Sequence, residues 1–409
     1  MTAHYFVEPT DTLFLRGNSE FGEAGQHGQS VVPPAPAVFA GAFRSAMLAH
    51  QDGALAAFVR TGRTGDAKLD QVLGVLDPAT GQVSKPGSFA VSSTCMAQLH
   101  GRELSRFYIP PADLVRLADG PVDAPPTLRT TLRTIVPRAL SPLECNSSAL
   151  PLTASLRAPA PAKPVTGWYL REQGWRQHLA GSRPDARSHV VAASALHALD
   201  PRLGIGLDAG AGATAKGLIY TTEGHSFVSE LDALGNTSSS GFLVGLDGIE
   251  GQLPDSGQLR LGGEGRSARF TRVPAPTPDA APAVESRSRL RLLLLTPGLF
   301  AKGWVPDGIE LKNGVYWLDL GTAKARLACA ALRRSEVVSG WDLFRRCPKP
   351  AQRCVPAGSV YWFDQVEGDM AEFARWAACR LSDAALGPER RAEGFNRAVV
   401  SAWADAHGG

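Results

Sequence analysis

Apolar residues first recur in a short strand-like run, Tyr5–Val7, which resumes after Glu8-Pro9 as Thr12–Leu15. A glycine-rich crossing follows from Gly17 to Gly28 and carries Phe21 and His27. Pro33-Pro34 and Pro36 then stop regular structure and pre-set a helix start. From Ala37 the apolar positions Val38, Phe39, Ala42, Met47 and Leu48 fall at helical spacing and fade by Gly53. Residues 60–200 are loosely patterned and interrupted by Pro110-Pro111, Pro125-Pro126 and the Ala158–Pro164 stretch, which reads as an insertion without a core of its own. Order returns with a predicted hairpin, Leu203–Leu207 and Leu218–Thr222, turned at Gly210-Ala-Gly212. Strands are predicted again at Phe242–Leu246, Ser256–Arg260 and Ser267–Val273.

A proline- and alanine-rich stretch, Pro274 to Pro282, reads as a linker. Beyond it stands the strongest strand signal, Arg289–Leu295, followed by strands at Val315–Asp319 and Val355–Phe363. Helical spacing marks Met370–Leu381 and Ala392–Trp403. Strand, helix, hairpin, short connection, strand is the order of a β-α-β-β-α-β unit. The expectation is therefore an α+β chain of two ferredoxin-like (RRM-like) domains. The first spans 1–273 with a long insertion at about 60–200, and the second spans 284–409.

Composition narrows the class. The 409 residues are 44% hydrophobic and 20% charged, which suits folded domains rather than a disordered tail. A net charge of +3 does not by itself announce nucleic-acid binding, so any such surface must be locally basic. Arg129–Arg138 and Arg345–Arg353 are two basic stretches without an acid. The cysteines form no Cys-x-x-Cys pair and no histidine pair sits at zinc spacing, so no metal or cofactor is expected. The start of the chain lacks a signal-peptide pattern and the longest apolar run, Leu290–Leu295, is broken by Arg291. These features predict a cytoplasmic protein that engages no membrane.

The most distinctive chemistry lies at Leu261-Gly-Gly-Glu-Gly-Arg266, a glycine loop closed by an arginine between two strand-like runs. Glycine admits φ > 0, successive N–H groups in such a turn make an anion-binding concavity, and arginine adds a planar fork for phosphate. A plain hairpin turn is the bland reading. Two enzymatic readings compete. Gly210-Ala-Gly212-Ala-Thr-Ala215 fits a dinucleotide fingerprint on paper, but Lys216–Tyr220 is strand-like where that fingerprint needs a helix. A metal-independent ribonuclease would need a histidine base, and His4, His27 and His50 are the N-terminal candidates, without an evident partner.

Four stretches together carry a specific resemblance: Glu8–Gly17, Pro33–Arg44, Leu261–Arg266, and Gly340-Trp341-Asp342 with Pro348-Lys349-Pro350 and Val355–Tyr361. In this order they resemble the RAMP-superfamily subunit of type III-B (Cmr) CRISPR effector complexes that binds the crRNA 5′ tag, the third Cmr protein. Ala37 departs from that family's second motif, which has Ser or Thr there. The resemblance implies a non-catalytic RNA-binding scaffold whose partners are the crRNA 5′ tag, a large polymerase/cyclase-like subunit and backbone RAMP subunits. The alternative is a crRNA-processing endoribonuclease of the same superfamily. Candidate RNA contacts are Arg16, Phe21, His27, Arg44, Gly262, Gly263, Gly265, Arg266, Lys349 and Arg353: arginines, a lysine and backbone amides for phosphates, and aromatic or guanidinium planes for bases.

Overall fold

A computed structural model describes residues 2–15, 27, 28, 30–117, 130–139, 150–156, 158, 162–208, 210, 213–231, 237–249, 251–278, 288–381 and 387–403. Its contacts divide the chain into two units. One comprises Met1–Leu104, Ser194–Ala275 and Val337–Ala351; the other comprises Ser105–Ala193, Pro276–Glu336 and Gln352–Gly409. The architecture is mixed α and β, and its sheets are built mostly from antiparallel pairs.

The first unit is built on the strand Ala3–Pro9, which pairs antiparallel with Thr237–Asp247 on one side and Ser267–Val273 on the other. Thr237–Asp247 pairs in turn with Ala90–His100, and Ser267–Val273 with Ser256–Arg260. Ala3–Pro9 and Ala90–His100 thus run the same way with one strand between them, and the helix Pro36–His50 lies in the crossover. Proline opens this helix, and Phe39, Ala40, Phe43, Met47 and Leu48 form its buried stripe. Phe39 packs on Phe242 (centroids 5.1 Å apart), while Phe43 packs on Tyr5 (5.6 Å) and Phe270 (5.7 Å). The opposite sheet face carries a smaller buried cluster of Phe6, Ala97 and Leu243. Among the described residues no helix joins Thr237–Asp247 to Ser256–Arg260.

Two expectations change here. Ala90–His100 is a full sheet strand inside the stretch read as loosely patterned; its Ser-Ser-Thr-Cys centre and mixed burial give no clean alternation. The hairpin around Gly210 is longer than expected, His197–Asp208 with Ala213–Phe227, and stands outside the main sheet, pairing instead with His27–Gly28. Residues after Ala215 are strand, so the dinucleotide reading lacks the helix it requires.

In the second unit six strands order as Ile309–Lys312, Val315–Asp319, Ala323–Ala331, Val360–Gly368, Leu290–Leu294 and Ala398–Ser401, each neighbour antiparallel. Leu290, Leu292 and Leu294 share one core with Phe373 and Trp376 of the helical segment Met370–Arg380, which turns from α to π at Trp376. Leu293, Cys329, Val360 and Trp362 face a second core with Tyr108, Leu114, Trp168, Trp175 and Val190. The described residues between 105 and 193 therefore do build a core, contrary to the reading of a coreless insertion; their apolar side chains pack on the sheet and on one another, Tyr108 stacking on Trp175 with ring centroids 4.8 Å apart. The helix expected over Ala392–Trp403 is instead a helix ending at Ala392 and a strand, Ala398–Ser401. Gly394 and Asn396 both take positive φ and break the helix, and Val399 and Val400 suit the sheet edge they pair into.

Arg291 is fully buried on this sheet. Its guanidinium donates to Asp113 Oδ2 (2.6 Å), the Ala402 carbonyl (2.6 Å) and the His178 carbonyl (2.5 Å), and Asp113 Oδ1 lies 3.0 Å from His178 Nε2. Burial alone would raise the Asp113 carboxyl; His178 and Arg291 outweigh it and hold it below the ordinary range.

Candidate nucleic-acid interface

The glycine loop is the tip of the hairpin Ser256–Arg260/Ser267–Val273, and it folds over the chain that leaves the first strand. Leu261 N–H donates to the Arg266 carbonyl (2.9 Å), Arg266 N–H to Gly263 (3.3 Å), and Gly263 N–H to Phe14 (2.8 Å). Gly262 (φ 78°), Glu264 (57°) and Gly265 (67°) all occupy the left-handed region. A Cβ on Gly262 would sit 2.6 Å from the Phe14 carbonyl oxygen, so both its φ and its closeness to that backbone require glycine. Among the described residues the amides of Gly262, Glu264 and Gly265 donate no hydrogen bond. Three unused donors in one turn are the raw material of an anion seat.

Arg266 closes that turn. Its Nη1 pairs with Asp11 Oδ2, and its guanidinium lies 5.2 Å from the centre of the Phe14 ring. Asp11 accepts the Thr12 N–H (2.6 Å); this bond first, with Arg266 and Arg202 adding to it, keeps its carboxyl below the ordinary range against the opposing effect of desolvation. Thr12 Oγ1 donates to Asp200 Oδ2 (2.8 Å) and accepts from Arg202 Nη2 (2.9 Å), while Arg202 Nε donates to Asp200 (3.0 Å). Leu13 and His225 exchange both backbone hydrogen bonds at 2.9 Å, which ties the base of the long hairpin to the same segment. There His197 and His225 are buried with Nδ1 atoms 3.3 Å apart, and burial, then the neighbouring His225, pushes the His197 imidazole down to about 4.

The candidate contacts disperse over the chain. Gly262, Gly263, Gly265 and Arg266 converge in the loop just described. Arg44 lies half-buried on the first helix with its guanidinium 5.2 Å from the Phe89 ring centre. Lys349 belongs to a small ribbon, its N–H donating to the Gly340 carbonyl (2.9 Å). Arg353 is exposed on Gln352–Cys354 in the other unit. Arg16 and Phe21 lie outside the described residues; for His27 only the backbone is described, pairing with Thr221. Asp11 and Phe14, which position Arg266, were missed as site residues although they stand in the first motif stretch beside it. Nothing local in the sequence announces that residues 11–15 meet residues 261–266. Among the described residues no three histidine, cysteine, aspartate or glutamate side chains group to hold a metal, and no helix is long and apolar enough to cross a membrane.

Sheets of mostly antiparallel strands with helices in the crossovers make this a mixed α and β protein, and the arginine-closed amide turn at a hairpin tip is its candidate site. The sequence matches the family described as CRISPR-associated protein (Cas_Cmr3) over residues 5–403, and the chain belongs to that family. It is thereby a type III-B CRISPR effector subunit, as the four motif stretches imply. No curated protein sequence matches it. Two solved structures are similar at TM-score 0.40. A chain of the cryo-EM structure of the Type III-B Cmr-beta bound to cognate target RNA and AMPPnP, state 1, is 13% identical, and one of Cmr-beta bound to cognate target RNA is 14% identical. Each comparison covers 88% of this chain and 86% of the other.

Proposed function

We propose that this chain is a non-catalytic RNA-binding scaffold that seats the 5′ tag of the crRNA. In this reading it works in the cytoplasm, in antiviral defence, and joins a large polymerase/cyclase-like subunit to backbone RAMP subunits. The observation that carries the RNA reading is the hairpin tip, where three amides that donate to none of the described residues stand beside Arg266. Amides in a left-handed turn and an adjacent guanidinium match the oxygens of a phosphodiester. We read both units as ferredoxin-like. Numbering four strands of each in chain order and leaving the outer ones aside, 2-3-1-4 recurs: Ala90–His100, Thr237–Asp247, Ala3–Pro9 and Ser267–Val273 in one, Ala323–Ala331, Val360–Gly368, Leu290–Leu294 and Ala398–Ser401 in the other.

The test is a titration of tag RNA at two salt concentrations with wild type, Arg266→Ala and Gly265→Val. Loss of one charged hydrogen bond weakens binding by roughly ten- to a hundredfold. Arg266→Ala also flattens the salt dependence, because one fewer phosphate is neutralised. Equal binding by folded variants would place the RNA elsewhere. Incubating wild type with repeat-containing RNA tests the non-catalytic reading, and cleavage that survives metal chelation would overturn it.

A further inference from the structure

The ribbon Val337–Ala351, part of the first unit, holds Gly340-Trp341-Asp342 and Pro348-Lys349-Pro350 of the fourth motif stretch, and the glycine-loop seat does not use it. Its strands Trp341–Asp342 and Cys347–Pro348 pair antiparallel. Ser339 Oγ donates to the Lys349 carbonyl (2.7 Å) and Lys349 N–H to Gly340 (2.9 Å). Arg345 anchors it to the neighbouring turn: Nε and Nη2 donate to the Thr80 carbonyl (3.2 and 2.6 Å), while its N–H and Nη1 donate to the Asp342 carboxylate (2.9 and 3.3 Å). Held at both ends, the ribbon nevertheless exposes three large apolar side chains within seven residues: Val337 at 40%, Trp341 at 59% and Leu343 at 37%. A rigid ribbon that shows water a tryptophan and two aliphatic residues has the composition of an interface core, and its rigidity lowers the ordering cost of binding.

Charge says what kind of partner fits. Asp342 is the ribbon's acid, and Arg345 engages it. Arg346 is exposed beside it, so the rim around the apolar residues is cationic. Single-stranded RNA would want several cations spaced along a backbone with aromatic planes between them. Of the ribbon's cations, Arg345 is committed to Asp342 and Thr80 and Lys349 is half-buried, leaving Arg346 exposed, and Val337 and Leu343 offer nothing to phosphate or base. We infer that this ribbon docks a protein partner, inserting Trp341 into an apolar pocket rimmed by carboxylates. Seven residues of extended chain span at most about 25 Å, the reach of one partner's patch in a standard interface of about 800 Å² per side. The inference rests on membership of a multisubunit complex and is independent of where the RNA lies.

The test places the photoreactive residue p-benzoylphenylalanine at position 341 and irradiates the reconstituted complex. In parallel, Trp341→Ala and Trp341→Phe are assayed for association with the other subunits and for tag-RNA affinity. The expected result is a crosslink to a protein subunit. Association should weaken about thirtyfold in Trp341→Ala, as for a buried tryptophan anchor, and largely recover in Trp341→Phe, with RNA affinity unchanged in both. A crosslink to RNA, no crosslink at all, or a Trp341→Ala protein that assembles like wild type would overturn it. A wild type that assembles but binds no tag RNA would sink the RNA reading and leave this one standing.

Discussion

The two sheets share a strand order and are stabilised differently. In the first unit the helix Pro36–His50 follows the first strand and covers one face with aromatic residues, while the other face carries a cluster of three buried residues. In the second the helical segment Met370–Arg380 follows the third strand, and both sheet faces are covered by cores. Each unit thus places a helix at a different crossover. The second sheet also buries a charge on its second face, Arg291, where the first buries Phe6. The lesson is that one strand order accommodates a helix at either crossover, provided something else removes the remaining apolar face from water.

The largest effect should come from breaking the charge cluster. Arg291→Ala or Asp113→Ala leaves a partner ionised and buried, which costs about 3–5 kcal/mol. Replacing both by apolar residues of similar volume, Arg291→Met with Asp113→Leu, should restore most of that loss. Urea unfolding monitored by hydrogen exchange in Leu290–Leu294 reads it, and a double variant as unstable as the singles would show that the cluster sets geometry rather than charge balance. Phe43→Ala probes the first unit by cavity formation alone and has no charge partner that could rescue it.

Acid should separate the units next. The His197 pKa is lowered on folding, so the unfolded chain takes up a proton that the folded chain refuses. Its contribution to stability is full above about 6.5 and is lost as pH falls from there to about 4. The loss amounts to about 3 kcal/mol. Asp113 is a depressed carboxylate, so its contribution persists above about 3.9 and disappears only as pH falls through its still lower folded value. Amide exchange at pH 7 and pH 5 should therefore loosen the His197–Asp208 hairpin while Leu290–Leu294 stays protected. His197→Gln should narrow that difference, the remainder belonging to His225, which burial also lowers; equal loosening of both regions would refute the assignment.

A smaller effect distinguishes two glycines of one loop. Gly262→Ala meets the Phe14 carbonyl as well as an unfavourable φ, whereas a Cβ on Gly265 has open space and meets φ strain alone. The latter costs about 1–2 kcal/mol, and Gly262→Ala should cost more. Thermal denaturation of the two variants gives the order, and the reverse order would mean that the loop is not seated on Phe14.

Much of this was legible in the chain. Proline at the helix start with Phe39, Phe43 and Met47 at helical spacing specified the first helix, because a 3.6-residue period and a fixed φ are local properties. The apolar run around Arg291 specified a buried strand, and the ordered motif stretches specified the family. What sequence did not disclose was long-range. Ala90–His100 lacks alternation because its neighbours, rather than its own pattern, decide which side chains are buried. Ala398–Ser401 became an edge strand because Leu290–Leu294 offered it a ladder to join, which overrode the helical spacing around it. The Asp11–Arg266 pair spans 255 positions, and Asp113–Arg291 spans 178. Local spacing names residues able to seat an anion or carry a buried charge; only the folded chain decides which carboxylate each arginine meets, because that depends on contacts between segments far apart in sequence.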